Sequence, residues 1–176
     1  FEDKLSHIPL EFTKENVVII YTPAIPKDHQ QFNYFKDNGF VLKKRSEILG
    51  DITKDRFTIA VAGTHGKTTT SSMIAHLLKE SGVNVTAFLG GISSNFNSNL
   101  VLGDFNKMEV VVVEADEFDR SFLTLSPNIA IITSVEADHL DIYGTGDELK
   151  KSFIDFSKKI DAKGTLVIQN EFTEGF

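Results

Sequence analysis

Short apolar runs alternate along the chain with longer stretches in which the apolar residues have helical spacing. The runs are rich in Val and Ile, and they predict strands at Val17–Tyr21, Phe40–Leu42, Phe57–Val61, Val85–Leu89, Val110–Val113, Ile129–Thr133 and Gly164–Ile168. The spaced stretches predict helices over Asp28–Asn38, Ser46–Ile52, Thr68–Ser81 and Asp147–Ile160. Strands that alternate with helices predict an α/β fold, in which a mainly parallel sheet is covered by helices on both faces.

The segment from Gly63 to Thr68, with the sequence G-T-H-G-K-T, joins a predicted buried strand directly to a predicted helix. Backbone N–H groups and the positive end of the helix dipole both favour an anion at such a junction. Lys67 is placed to reach the terminal phosphates of a nucleotide, and the Thr68 hydroxyl is placed to hold Mg²⁺. The segment therefore predicts a site for a nucleoside triphosphate, although His65 could either contact a substrate or only shape the turn.

This loop matches only the second half of the general phosphate-loop pattern, G-x-x-x-x-G-K-[ST], whose first glycine would fall at Val61. The alternative is a strand-to-helix turn with a solvated lysine. The flanks favour the phosphate loop, because a helical face follows it and a glycine stop comes after that face, at Ile74, Leu77, Leu78, Ser81 and Gly82.

Two further strand ends carry polar side chains. Glu114 directly follows the run of valines, and His139 follows the predicted strand that begins at Ile129, with Glu136, Asp138 and Asp141 around it. Ligands of open α/β sheets bind beyond the carboxyl ends of the strands, and Mg²⁺ prefers oxygen ligands. Glu114 is thus a candidate for a direct or water-mediated magnesium ligand, because its strand is expected to neighbour the phosphate-loop strand. His139 is a candidate for help with a second metal. A solvated strand-end acid and a loop histidine are the alternatives.

The segment Gly90–Asn99 is predicted to be a polar loop. Its backbone amides and short amide side chains would suit a ligand with many hydroxyl groups, but a plain flexible loop is equally compatible with the sequence.

The composition argues against several classes of function. The net charge is −7 without a basic run, which argues against nucleic acid or an anionic membrane as a partner. There is no cysteine, so disulfides and thiolate metal sites are absent. No apolar stretch approaches the roughly twenty residues that span a bilayer, and a reduced cytoplasm suits the chain. The first residue is Phe1, so we expect a piece of a longer protein, with a first domain over 1–54 and a second over 55–176.

Three motifs together resemble the Mur ligase superfamily of ATP-dependent amide-forming enzymes. They are Ala60-Val-Ala-Gly-Thr-His-Gly-Lys-Thr-Thr-Thr70, Glu114-Ala-Asp-Glu117 with the residues that follow it, and the stretch Ile131–Tyr143, which contains T-S-V-E-A-D-H-L-D. The likeness is greatest to the alanine-adding branch. A loop beginning Tyr21-Thr22-Pro loosely fits the end of the superfamily's uridine-nucleotide domain, which would make 1–54 the final part of that domain and 55–176 an incomplete ATP-binding domain.

The resemblance implies a reaction and a set of roles. The lactyl carboxylate of UDP-N-acetylmuramate would be phosphorylated by ATP to an acyl phosphate, and L-alanine would then displace the phosphate. Lys67, Glu114 and His139 would be catalytic, and Thr68, Glu114 and His139 would hold Mg²⁺. The ATP phosphates would be bound by Gly63, Thr64, His65, Gly66, Lys67, Thr68 and Thr69. Contact with the other substrates would come from Thr22, Gly90, Gly91, Asp116 and Glu117.

Several departures and rivals qualify this interpretation. Sister ligases carry a carbamylated lysine where an ungapped alignment puts Phe153, and the superfamily's C-terminal domain and N-terminal glycine fingerprint are missing here. We therefore expect this piece alone to bind nucleotide weakly and not to ligate. The peptide-recycling branch, which adds a tripeptide to the same nucleotide sugar, is the close rival. A GTPase is disfavoured because no N-K-x-D motif is present, and a noncatalytic nucleotide sensor stays open.

Overall fold

The structure, a computed structural model, describes residues 2–104, 106–136, 143–173 and 175–176, and of Asp119 the backbone alone. The chain divides into two compact units, Phe1–Leu49 and Gly50–Phe176. This division falls within the second helix, whereas the predicted domain boundary after residue 54 lies just beyond it. The assignment of the two units to a uridine-nucleotide domain and an ATP-binding domain stays a prediction.

The first unit is a strand–helix–strand arrangement. A short 3-10 helix, Leu5–His7, precedes strand β1 (Val18–Tyr21), helix α1 (Gln30–Asp37) and strand β2 (Val41–Lys44), and β2 pairs in parallel with β1. Helix α2 (Arg45–Thr53) follows directly. The helix predicted over Ser46–Ile52 is confirmed and extends one residue further at each end.

The second unit contains the remaining regular elements of the described chain. They are β3 (Phe57–Ala62), α3 (Lys67–Glu80), β4 (Val85–Ser93), β5 (Ser98–Val101), β6 (Val110–Glu114), a 3-10 helix (Phe118–Thr124), β7 (Ile129–Ile132), α4 (Gly146–Ser157), β8 (Thr165–Ile168) and a 3-10 helix (Asn170–Phe172). None of the helices in the described ranges has both the length and the apolar character that crossing a bilayer requires.

The sheet of this unit has the order β5-β4-β6-β3-β7-β8, and every pairing is parallel except that of β5 with β4. Strand β3 lies between β6 and β7, with Val61 opposite Glu114 and Ala62 opposite Ile132. Parallel strands end at the same edge of a sheet, so the loop after β3 begins between the ends of β6 and β7. The predicted mainly parallel α/β fold is confirmed.

The two central strands show why the sheet needs cover on both faces. Val111, Val112 and Val113 of β6 are fully buried, and so are Ala60 and Val61 of β3. Successive residues of a strand point to opposite faces, so consecutive buried positions require packing on both.

Helix α3 packs on this sheet through a face that includes Ile74 and Leu78, as predicted, but not Leu77. Leu77 is 62% exposed, whereas Ser71 and Ala75 are fully buried and Ile74 and Leu78 pack against the core. The inward positions still follow helical spacing, but they centre on small side chains. A small side chain lets a helix lie closer to the valine-rich sheet than a leucine would, and the sequence pattern alone gave Leu77 too much weight.

The prediction of a loop over Gly90–Asn99 is wrong. Strand β4 continues through Gly90 and Gly91 to Ser93, and after a turn the chain returns as β5, antiparallel to β4. The turn contains Asn97 with φ 49°, a left-handed conformation that asparagine tolerates better than most residues. The two glycines made the sequence indicate a loop, because glycine is depleted in strand interiors.

A buried carboxylate precedes β6 at the edge of the sheet where the parallel strands begin. Glu109 accepts a 2.7 Å hydrogen bond from Arg56 Nε and a 2.7 Å bond from the Thr86 hydroxyl, which itself accepts the N–H of Gly103. This ion pair joins the starts of β3, β4 and β6, far from the loop that follows β3.

Thr145 caps the start of helix α4, because the Glu148 N–H donates to Thr145 Oγ1 at 3.2 Å. Phe153, the position aligned with the sister ligases' modified lysine, is fully buried and meets the Phe122 ring edge-to-face at 5.4 Å. This position therefore belongs to the apolar core.

Candidate phosphate-binding site

The loop between β3 and α3 depends on two glycines. Gly63 has φ 131° and Gly66 has φ 82°, a region that side-chain-bearing residues rarely adopt. Gly66 is the N-cap of α3 and supplies no side-chain cap, so the first turn of the helix keeps its N–H groups available. A helix start of this kind favours the binding of an anion.

The N–H groups of the loop divide into two sets. Those of Thr64 and His65 donate to Ser134, two residues after β7, the first to its carbonyl at 3.1 Å and the second to its Oγ at 2.8 Å. Those of Gly66, Lys67, Thr68 and Thr69 donate to no group in the part of the chain that the structure describes. The N–H groups of Thr64 and His65 are therefore already bonded, whereas those at the helix end of the loop are available for the predicted phosphate contacts.

Lys67 lies at the mouth of the loop with 15% of its side chain exposed. Its Nζ donates to the Gly63 carbonyl at 2.7 Å and lies 2.9 Å from both carboxylate oxygens of Glu117. The ammonium group is therefore held beside the helix N-terminus. Its positive charge and the positive end of the helix dipole both favour an anion there.

Glu114 is held by the two elements that flank it. Its Oε1 accepts the Thr68 hydroxyl at 3.1 Å, and its Oε2 accepts the Gly90 N–H at 2.7 Å. The prediction that the Glu114 strand neighbours the phosphate-loop strand is confirmed by the β3–β6 pairing. Tertiary structure thereby brings a hydroxyl and a carboxylate, both predicted to hold magnesium, into direct contact.

Two residues that hold the loop were missed as functional candidates in the sequence. The Ser134 hydroxyl pairs with that of Thr64 at 2.9 Å, and the Thr133 hydroxyl is shared between the carbonyl oxygens of Ala62 and His65. The Glu136 N–H also donates to Thr64 Oγ1, at 3.1 Å. The available signal was a pair of hydroxyl residues directly after an apolar strand, at a strand end beside the phosphate loop.

We predict that Ser134→Ala weakens nucleotide binding about 10-fold. The substitution leaves the His65 N–H without its acceptor and the buried Thr64 hydroxyl with the Glu136 N–H alone. This costs about 1–3 kcal/mol, and 1.4 kcal/mol corresponds to a factor of ten. Titration calorimetry with ADP and Mg²⁺ measures the change. The matched control is Thr86→Val, which removes a buried hydroxyl with two partners at the other edge of the sheet. Equal loss of affinity in both variants would contradict the prediction.

The other predicted site residues have diverse surroundings. Asp116 is exposed, and its Oδ1 accepts the Phe118 N–H at 3.1 Å, at the start of the 3-10 helix. The His65 side chain is 66% exposed, with Nδ1 3.8 Å from Glu136. Gly91 lies against Thr68, since a Cβ built on it would be 3.5 Å from Thr68 Cγ2.

Thr22 belongs to the first unit, where it lines a groove of about 560 Å³ together with Tyr21, Pro26 and Phe32. Contact of Thr22, Gly90, Gly91, Asp116 and Glu117 with substrate stays a prediction.

Glu117 is fully buried behind Lys67. Its backbone carbonyl accepts a hydrogen bond from the Tyr143 hydroxyl. Burial raises the pKa of the Tyr143 phenol, so this hydroxyl keeps its proton and remains a donor.

The oxygen atoms of Thr68 and Glu114 fit magnesium. Mg²⁺ is commonly held by one or two carboxylates, phosphate oxygens and several waters, and a hydroxyl 3.1 Å from a carboxylate beside a phosphate loop provides the protein part of such a set. Among the described residues no cluster of three or more His, Asp or Glu side chains forms a metal site of its own. His139 lies in 137–142, outside the described residues, so its role with a second metal stays a prediction.

These features are typical of a phosphate-loop α/β domain. A glycine loop follows a central parallel strand and leads into a helix whose first N–H groups are available, with a lysine in the loop and an acid on the neighbouring strand. The chain belongs to the Mur ligase family, since the model of the Mur ligase middle domain matches residues 61–174.

Curated relatives extend the match to nearly the whole chain. UDP-N-acetylmuramate–L-alanine ligase of Flavobacterium johnsoniae is 54% identical over 171 residues, and that of Christiangramia forsetii is 56% identical over 173. Each alignment covers 97% of this chain but 37% of the relative, so the chain spans little more than a third of their length.

Solved structures agree with this placement. The UDP-N-acetylmuramate–alanine ligase of Thermotoga maritima has a TM-score of 0.75 at 31% identity, and covers 92% of this chain and 38% of its own. The ligase of Neisseria meningitides that acts on UDP-N-acetylmuramate and L-alanyl-γ-D-glutamyl-meso-diaminopimelate has a TM-score of 0.77 at 25% identity, and covers 87% of this chain and 52% of its own.

Proposed function

We propose that the protein containing this chain is an ATP-dependent ligase that joins the lactyl carboxylate of UDP-N-acetylmuramate to the amine of L-alanine, in peptidoglycan precursor synthesis. The observation that carries the proposal is the 56% identity, over 97% of the chain, to a relative with that name. The loop geometry supports the ATP-dependent half of the reaction. Since the reaction consumes ATP, we assign it to the cytoplasm.

In this proposal, the substrate carboxylate attacks the γ-phosphorus of ATP, the bond from that phosphorus to the ADP oxygen breaks, and an acyl phosphate forms. The alanine amine then attacks the acyl carbon, phosphate leaves, and the amine loses a proton. Phosphoryl transfer requires positioning and charge neutralisation more than covalent help from the protein.

The residues of this chain supply the positioning. The N–H groups of Gly66 to Thr69 and the ammonium of Lys67 would bind phosphate oxygens, so that charge developing during transfer meets fixed donors. Thr68 and Glu114 would hold Mg²⁺, which neutralises phosphate charge when it is bound.

A second candidate is the ligase that adds a tripeptide to the same nucleotide sugar. The TM-score of 0.77 to the Neisseria enzyme favours it, although the sequence identity there is 25%. The first step would be the same, and the amine that attacks the acyl phosphate would differ.

The test is release of phosphate and ADP by the full-length protein with ATP, Mg²⁺ and UDP-N-acetylmuramate, with single amino acids compared against the tripeptide. We expect turnover that depends on L-alanine. Turnover with the tripeptide alone would establish the second candidate. No turnover with any amine would overturn both and favour a noncatalytic nucleotide sensor.

A further inference from the structure

Glu117 is the charged group that the proposed mechanism leaves without a task. Its carboxylate is fully buried, and both of its oxygens lie 2.9 Å from Lys67 Nζ. A carboxylate in the interior is costly unless a cation and hydrogen bonds compensate it, so this pair is a strongly coupled unit.

The position of Glu117 is fixed independently of Lys67. It ends the stretch between β6 and the 3-10 helix Phe118–Thr124, the Arg120 N–H donates to its carbonyl at 2.9 Å, and the buried Tyr143 hydroxyl donates to the same carbonyl. These bonds hold the backbone of Glu117, and the full burial of its side chain limits how far the carboxylate can follow Lys67 if the lysine moves. The ammonium group has three N–H donors, and the Gly63 carbonyl and Glu117 Oε1 accept two of them.

We propose that Glu117 is a positioning residue, which pairs with Lys67 and competes with the terminal phosphates of the nucleotide for its ammonium group. The inference rests on the proposed function, because it assumes that Lys67 binds those phosphates. Glu117 keeps the lysine extended toward the loop, and nucleotide binding draws part of its hydrogen bonding away from the carboxylate. The residue thus lowers nucleotide affinity and raises the fraction of bound nucleotide that reacts.

Glu117→Gln tests this proposal, because the amide retains the size of the side chain and removes its charge. In the full-length protein we expect ADP and a non-hydrolysable ATP analogue, each with Mg²⁺, to bind about 5- to 10-fold more tightly, since the ammonium charge is no longer offset by an anion. We expect kcat to fall at least about 10-fold, since Lys67 loses the group that positions it. A residue with only a structural role would not move affinity and kcat in opposite directions.

Two controls separate the proposal from simpler explanations. Glu109→Gln removes the other buried, cation-paired glutamate beside β6, 2.7 Å from Arg56, and should lower stability without changing nucleotide affinity. Glu136→Gln removes an exposed charge beside the same loop, and should change affinity by less than about two-fold because solvent screens exposed charges. Tighter binding by Glu136→Gln equal to that of Glu117→Gln would overturn the proposal.

A stability measurement without nucleotide gives a second, independent readout. Lys67→Met removes the cation 2.9 Å from the buried Glu117 carboxylate, so the double variant Lys67→Met/Glu117→Gln should melt at a higher temperature than Lys67→Met alone. A lower melting temperature for the double variant would overturn the proposal.

Failure of this inference can be told apart from failure of the proposed function. If the wild-type protein binds nucleotide and Glu117→Gln binds it no more tightly, only the inference fails. If the wild-type protein binds no nucleotide, both fail.

Discussion

Gly90→Ala is expected to reduce ligase turnover by about 100-fold or more. A Cβ at this position would lie 2.2 Å from Glu114 Oε1 and 2.6 Å from Oε2, so the carboxylate has to leave its place beside Thr68. A displacement of about 1 Å in a catalytic group is enough for a loss of this size. Steady-state turnover at saturating ATP and varied Mg²⁺ measures the effect, and higher Mg²⁺ should restore only part of it.

The neighbouring glycine gives the matched comparison. A Cβ on Gly91 would meet Thr68 Cγ2 at 3.5 Å, an ordinary contact, so Gly91→Ala should lose much less activity. If both variants lose the same activity, the cause is not the position of Glu114, and the role predicted for this pair of glycines in substrate contact gains weight.

Gly63→Ala is expected to destabilise the second unit by about 3 kcal/mol or more and to abolish nucleotide binding. Backbone strain at φ 131° costs about 1–3 kcal/mol, and overpacking adds a similar amount. The added Cβ would lie 2.2 Å from Thr133 Oγ1 and 2.8 Å from the Ser134 nitrogen, and a backbone nitrogen cannot move aside as a flexible side chain can. Urea denaturation of the full-length protein, together with ADP titration, measures both effects.

Gly82→Ala serves as the control for backbone strain alone. Gly82 also has a left-handed backbone, with φ 80°, but a Cβ there would have no heavy atom within 4 Å. We expect a loss of about 1–2 kcal/mol and unchanged nucleotide binding. Equal destabilisation by the two variants would show that the contact with β7 contributes nothing.

The position of Glu114 in the site could be predicted from the sequence. A run of valines predicted a buried strand, the polar residue after it predicted a strand-end acid, and parallel topology placed that acid next to the phosphate loop, as the β3–β6 pairing confirms. Each step depended on local periodicity and on a general rule for parallel sheets. For that reason it could be made without coordinates.

The sequence did not predict the contacts of Ser134, Gly90 and Glu117. Ser134 contacts the loop from a position 70 residues along the chain from Thr64, and Glu117 is 50 residues from Lys67. No local pattern distinguishes a serine that anchors a loop from a solvated one, or a buried carboxylate from an exposed one. Gly90 was expected in a substrate loop, but it lies in a strand and its N–H anchors Glu114.

The sequence by itself determined the strand–loop–helix at Gly63–Thr68, the parallel α/β class and the three motifs of the Mur ligase family, because each is written in residues close together along the chain. Only the tertiary structure decided which partner each polar group of the site has: Ser134 for the loop, Gly90 and Thr68 for Glu114, and Glu117 for Lys67. The physical reason is that hydrogen bonds and ion pairs form between atoms about 3 Å apart, and distant segments reach that separation only when the sheet has set their register.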